Sequence, residues 1–118
     1  MAGWLSTHVL DTALGMPAAG LEIALWRLDG DARAHVVTMV TNDDGRTDAP
    51  ILAVADFATG EYELVFQAGD YLRRTAGAQS EPLFLNVVPI RFGMNDPEAH
   101  YHVPLLLSPF GYSTYRGS

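Results

Sequence analysis

Apolar and β-forming residues recur along this chain in short runs, each closed by a Gly, Pro, Asn or Asp signal. The runs are too short for an ordinary helix, and several alternate apolar with polar. Residues 4–10, Trp-Leu-Ser-Thr-His-Val-Leu, predict a strand, and residues 11–20, with Gly15, Pro17 and Gly20, predict a loop. Residues 21–28 fit helix or strand by periodicity, but their length and flanking turns favour strand. A turn at residues 28–31 leads to a strand at 34–41, and Asn42-Asp43-Asp44-Gly45 is a strong turn signal. A short strand is expected at 51–54 and a clearly alternating one at 61–66. Residues 70–76 are the one plausible helix, with Asp70 as its cap and Gly77 as its stop. Residues 83–92 predict a strand with Pro89 inside it, which points to a sheet edge or a bulge. After a turn at 95–97, strands at 100–107 and 111–116 flank Ser108-Pro109. Seven or eight short strands at regular spacing with one short helix predict an all-β sandwich.

The 118 residues suit one domain, 1–118, large enough to bury a core without staples. There is no cysteine, hence no disulfide framework and no thiolate metal site. Seven basic residues against fourteen acidic ones give a net charge of −7, a field that repels nucleic acid and anionic lipid. No apolar run approaches membrane-spanning length. Met1-Ala2-Gly3-Trp4 has no signal-like core, and the expectation is a soluble, cytoplasmic, unprocessed protein.

Strand parity locates the chemistry. Tyr101, Val103, Leu105 and Leu107 form a continuous apolar face, which is the core face. His100, His102, Pro104 and Leu106 share the other. In the first strand Leu5, Thr7 and Val9 look inward, and Trp4, Ser6, His8 and Leu10 look outward. The outward face is apolar enough to call for a covering partner, most simply another copy of the chain. His8 and His102 then lie in or beside a protein–protein seam. The His100-x-His102 spacing also suits a metal, but no third ligand stands beside it. Arg46, at the exit of the Asn-Asp-Asp-Gly turn, is either a solvated post-turn residue or a planar cation able to bind a carboxylate or polarise a carbonyl. The end of the chain, residues 100–118, keeps aromatic and β-branched residues where a frayed polar tail is usual. That composition predicts a docked element.

The segments Leu5-Ser-Thr-His-Val-Leu-Asp-Thr12, Gly45-Arg46-Thr47 and His100-Tyr-His-Val-Pro-Leu-Leu-Leu-Ser-Pro through Tyr115-Arg-Gly-Ser118 resemble the 5-hydroxyisourate hydrolases, the transthyretin-related enzymes of urate breakdown. The Tyr-Arg-Gly-Ser end is the specific part. Hormone-carrying transthyretins share the Leu-Leu-Ser-Pro and Tyr-Ser-Thr stretches but lack that end and the histidines. The resemblance implies a transthyretin-like sandwich of two four-stranded sheets, assembled as a homotetramer (a dimer of dimers) with active sites in the channel between dimers. It places catalytic roles on His8, Arg46, His102 and Ser118, and substrate contacts on His8, Arg46, Tyr115, Arg116, Gly117 and Ser118.

The reaction so implied is hydrolytic opening of 5-hydroxyisourate at a ring amide, without metal or cofactor. Either His8 or His102 serves as the base for water, and the other orients that water or protonates the departing nitrogen. Arg46 would hold the developing oxyanion. The competing readings are a transthyretin-like carrier without chemistry, a structural β-sandwich module and a zinc hydrolase. Two titratable imidazoles have no evident use in a carrier's channel.

Overall fold

The computed structural model describes residues 2–77 and 79–117. Ser118, one of the residues assigned a role by resemblance, lies outside the described residues.

The strands are β1 (Trp4–Asp11), β2 (Met16–Pro17), β3 (Glu22–Asp29), β4 (Ala32–Val40), β5 (Gly60–Phe66), β6 (Val88–Met94), β7 (His100–Ser108) and β8 (Gly111–Thr114). One helix, α1 (Ala68–Thr75), follows β5. They form two four-stranded sheets, ordered β2-β1-β7-β8 and β4-β3-β5-β6. The expected all-β sandwich of two four-stranded sheets with one short helix is therefore present. Leu5, Val9, Leu105 and Leu107 from one sheet meet Ile23, Leu25, Leu64 and Phe66 from the other, all fully buried. Alternation along β1 and β7 follows the predicted parity, so the core takes the odd-numbered positions and the even ones are more open, except Pro104, expected to face out, which is buried.

Several local expectations change. Residues 51–54 make only a single bridge, Leu5 to Leu52, before a 3₁₀ turn at Val54–Asp56. The strand expected at 83–92 begins at Val88. Pro89 does sit on an edge strand, where a missing N–H costs no ladder bond on the open side. Two-residue β2 lies inside the expected loop, because Met16 and Pro17 pair with Asp11 and Leu10. The strand expected at 111–116 ends at Thr114. The helix starts at Ala68 with Gln67 at its cap and no side-chain cap bond; Asp70, expected as the cap, lies inside it and pairs with Arg73 at 3.2 Å. Its end is as expected: the Ala76 N–H bonds the Leu72 carbonyl, and Gly77 takes a φ of 76°.

Asp11, placed in a loop by composition, closes β1 facing inward. Its Oδ1 accepts the N–H groups of Ala13 and Leu14, and its Oδ2 accepts the Tyr71 hydroxyl at 2.7 Å. This bond ties α1 to the end of β1 inside the protein. Burial, followed by the Asp11 hydrogen bond and charge, pushes the Tyr71 phenol up to about 12. Tyr71→Phe removes a hydrogen bond to a buried carboxylate and is expected to cost about 1.5–3 kcal/mol, read as a lower urea midpoint at unchanged slope. Because the folded phenol ionises later than the unfolded one, its stabilisation is complete below pH 10 and is lost as pH rises toward 12. The phenylalanine variant is expected to lack that alkaline loss in urea titrations.

Candidate functional site

The site is built on one pairing. β1 and β7 run parallel, side by side in the middle of their sheet, in a register that sets Trp4 beside His100, Ser6 beside His102 and His8 beside Pro104. All of these are even-numbered, so their side chains leave the same outer face. Trp4 and His100 stack with ring centroids 3.5 Å apart and planes 7° from parallel. Ser6 Oγ lies 2.7 Å from His100 Nε2 and 2.8 Å from His102 Nδ1. Part of the apolar outer face thus has an explanation inside the chain: Trp4 covers an imidazole.

Arg46 arrives from the turn. Asn42 Oδ1 accepts the N–H groups of Asp44 and Arg46, and the Asn42 N–H bonds the Arg46 carbonyl at 2.7 Å. Gly45 closes the turn with a φ of 75°, and a Cβ there would stand 2.3 Å from the Val9 carbonyl oxygen, so only glycine fits against β1. The result is an antiparallel bridge between His8 and Arg46. The His8 Nε2–H donates to the Asp44 carbonyl at 2.8 Å, which in the neutral ring leaves Nδ1 as the free lone pair.

The terminal segment reaches the same face. The Gly117 N–H donates to the His102 carbonyl at 2.7 Å. A Cβ on Gly117 would lie 2.7 Å from His102 Cδ2. The His102 ring is therefore held by Ser6 at Nδ1 and flanked by Gly117 at Cδ2. The expected docked end is present as far as Gly117. Arg116 turns its guanidinium onto the Tyr101 ring, 4.3 Å from its centroid, and the Tyr101 hydroxyl is itself fixed by the Asn95 and Asp96 N–H groups. This arrangement anchors the segment.

Two clefts open from His100 and His102. One, about 480 Å³, runs past Trp4, Ser6, Arg46 and the loop of residues 47–50. The other, about 690 Å³, is lined by the two histidines with Tyr115, Arg116 and Gly117. Small-molecule sites occupy this size range. The structure thus gathers Arg46, His102, Tyr115, Arg116 and Gly117 around the clefts. His8 lies further along β1, turned to the Asp44 carbonyl, and lines neither. Ser6, to which the sequence reading gave no role, and His100, weighed there only as half of a metal-spaced pair with His102, are central; outward parity was the available signal for both.

Desolvation holds the His102 imidazole below its usual range, and the charges of His100, Arg46 and His8 push the same way. His100 is lowered by desolvation. Both rings are neutral at neutral pH, as a base must be. In a chain of net charge −7 the cleft pairs a guanidinium with imidazoles, a local field suited to an electron-rich ligand. Among the described residues no three His, Asp or Glu side chains gather closely enough to hold a metal ion, and no helix is long and apolar enough to cross a membrane.

The chain matches the HIUase/Transthyretin family over residues 5–117. It is 67% identical to a 5-hydroxyisourate hydrolase of Mesorhizobium japonicum over 98% of this chain and 93% of that protein. Among solved structures it is similar to an (S)-allantoin synthase, with a TM-score of 0.92 and 44% identity over 99% of this chain. It spans 44% of that longer protein's length. A transthyretin of Sparus aurata shares the fold at a TM-score of 0.83 and 26% identity, over 96% of this chain and 95% of that one. With near-complete coverage by the family and by a relative of this identity, the chain belongs to the HIUase/Transthyretin family.

Proposed function

We propose that the chain hydrolyses 5-hydroxyisourate to 2-oxo-4-hydroxy-4-carboxy-5-ureidoimidazoline, acting as a cytoplasmic homotetramer. The reading is supported by the 67% identity to a protein of that name. The observation that carries it in the site is His102, held neutral in a cleft that also contains Arg46. A carrier has no need of such a ring, whereas amide hydrolysis needs a neutral base beside a cation.

The chemistry follows from these groups. His102 takes a proton from water as the water oxygen bonds the ring carbonyl carbon. Charge develops on the carbonyl oxygen, and Arg46, free of ion pairs among the described residues, offers it a planar pair of N–H donors. The ring C–N bond then breaks, the nitrogen takes a proton and the carbon leaves as a carboxylate. His8 holds the Arg46 turn through the Asp44 carbonyl and so acts on the reaction by positioning that guanidinium. Tyr115, Arg116 and Gly117 wall the second cleft. Exposed Leu14, Met16, Phe110 and Tyr112, on or beside the strands of this sheet, support burial against further copies of the chain.

Loss of the near-ultraviolet absorbance of freshly made 5-hydroxyisourate tests the activity directly. An intact, folded chain that leaves that absorbance at its spontaneous decay rate would sink the reading. His102→Ala is expected to lower kcat by about two to four decades, with the circular-dichroism melt little changed. The acid limb of kcat/KM is expected below pH 6.5, since activity falls as the depressed imidazole protonates. Arg46→Gln removes a cation from that ring and is expected to move the limb upward. Arg46→Lys should leave the limb in place yet fail to restore the rate. Gly117→Ala is expected to push against the His102 ring and reduce kcat, while thermal stability stays close to that of the parent chain; wild-type turnover in this variant would remove the terminal segment from the mechanism.

A further inference from the structure

Ser6 is a hydroxyl bridge between two imidazoles, and the hydrolase mechanism above leaves both it and His100 without a task. We propose that Ser6 and His100 form, with His102, a proton relay in which Ser6 is the positioning residue that sets the tautomer of His102. The inference rests on the hydrolase reading and deepens it.

The argument is one of donors and acceptors. A serine hydroxyl has one proton to give and lone pairs to accept. Placed 2.7 Å from His100 Nε2 and 2.8 Å from His102 Nδ1, it donates to one ring and accepts from the other. Two directions are thus available. Arg46, a fixed cation in the same cleft as His102, favours the lone pair of that ring on the cleft side, at Nε2. His102 then carries its proton on Nδ1 and donates it to Ser6, and Ser6 donates onward to His100 Nε2. Gly117 packed at Cδ2 keeps the His102 ring from rotating, so that Nδ1 stays on Ser6.

This direction makes a balanced path. As water attacks the substrate carbonyl, His102 Nε2 gains a proton and the Nδ1 proton passes to Ser6 Oγ. The Ser6 proton passes to His100 Nε2, which becomes a transient imidazolium. As the ring C–N bond breaks, His102 Nε2 gives its proton to the departing nitrogen and the relay protons shift back from His100 through Ser6 to His102 Nδ1. The second proton of water goes to solvent as the product leaves as a carboxylate. Trp4, stacked flat on His100 at 3.5 Å, lies where it can stabilise the transient cation through its π face.

The test reads the tautomer and the kinetics separately. Imidazole ¹⁵N spectra of the wild-type protein at neutral pH are expected to show His102 protonated at Nδ1. A neutral His102 protonated at Nε2 overturns the relay, whatever the activity. Ser6→Ala is expected to lower kcat at least tenfold with KM nearly unchanged, and Ser6→Thr to restore most of it by returning the hydroxyl. His100→Gln, which can hydrogen-bond Ser6 but cannot relay a proton, is expected to lower kcat as Ser6→Ala does. Wild-type kcat in either Ser6→Ala or His100→Gln, or a folded Ser6→Thr as slow as the alanine variant, would overturn the proposal. Should Ser6→Ala fail to fold, the wild-type spectrum still decides the tautomer. A wild-type protein that shows the Nδ1 tautomer but does not consume 5-hydroxyisourate would refute the hydrolase reading instead.

Discussion

The parallel pairing of β1 with β7 is the constraint on which the rest depends. Parallel neighbours need a long connection between them, and here the entire second sheet and the helix occupy that interval. The two strands lie at the centre of their sheet, so each is fixed on both edges. Their inward residues, Leu5, Val9, Tyr101, Val103, Leu105 and Leu107, are buried against the other sheet. A one-residue slip of either strand would expose that set and bury the histidines, so the core holds the register firmly. The same register sets Ser6 beside His102 and Trp4 beside His100. Hydrophobic burial on one face thereby positions imidazoles on the other.

Two backbone approaches complete the site, and each uses a glycine for want of room. Gly45 brings the Arg46 turn against the Val9 carbonyl, and Gly117 brings the terminal segment against the His102 ring. Both are single bridges at the rim of a well-paired sheet. Side chains secure them: Asn42 braces the turn, and the Arg116 guanidinium on the Tyr101 ring braces the terminus. The cleft therefore has a floor of paired strand and walls braced by these side chains.

Electrostatics divides the molecule. The acidic surplus lies over the protein as a whole, while the cleft holds Arg46 and imidazoles kept neutral by burial and by one another. Elsewhere charge is spent on structure: Glu63, buried on β5, lies between Arg33 at 2.9 Å and Arg91 at 2.8 Å, binding β4, β5 and β6 across the outer face of their sheet. The contrast separates paired cations, which hold strands together, from the Arg46 guanidinium, which has no ion pair among the described residues and lines the cleft.

Alternation along residues 4–10 and 100–107 was enough to determine which side of each strand enters the core, because the side-chain period of a strand is two. It therefore also determined that His8, His100 and His102 leave by the outer face. The sandwich class was legible in the spacing of turn signals, and the docked terminus in its aromatic composition. Strand limits near residues 51–54 and 83–87 were not legible, since pairing there depends on whether a neighbour is within reach. The helix start was missed by two residues because Gln67 gives no capping signal. Asp11 carries a loop residue's local signal, because the Tyr71 hydroxyl that holds it inside lies sixty positions away. The roles of Ser6 and His100 belong wholly to tertiary structure: a hydroxyl becomes a bridge only when a distant strand is laid beside it in one register, and no local pattern carries that register.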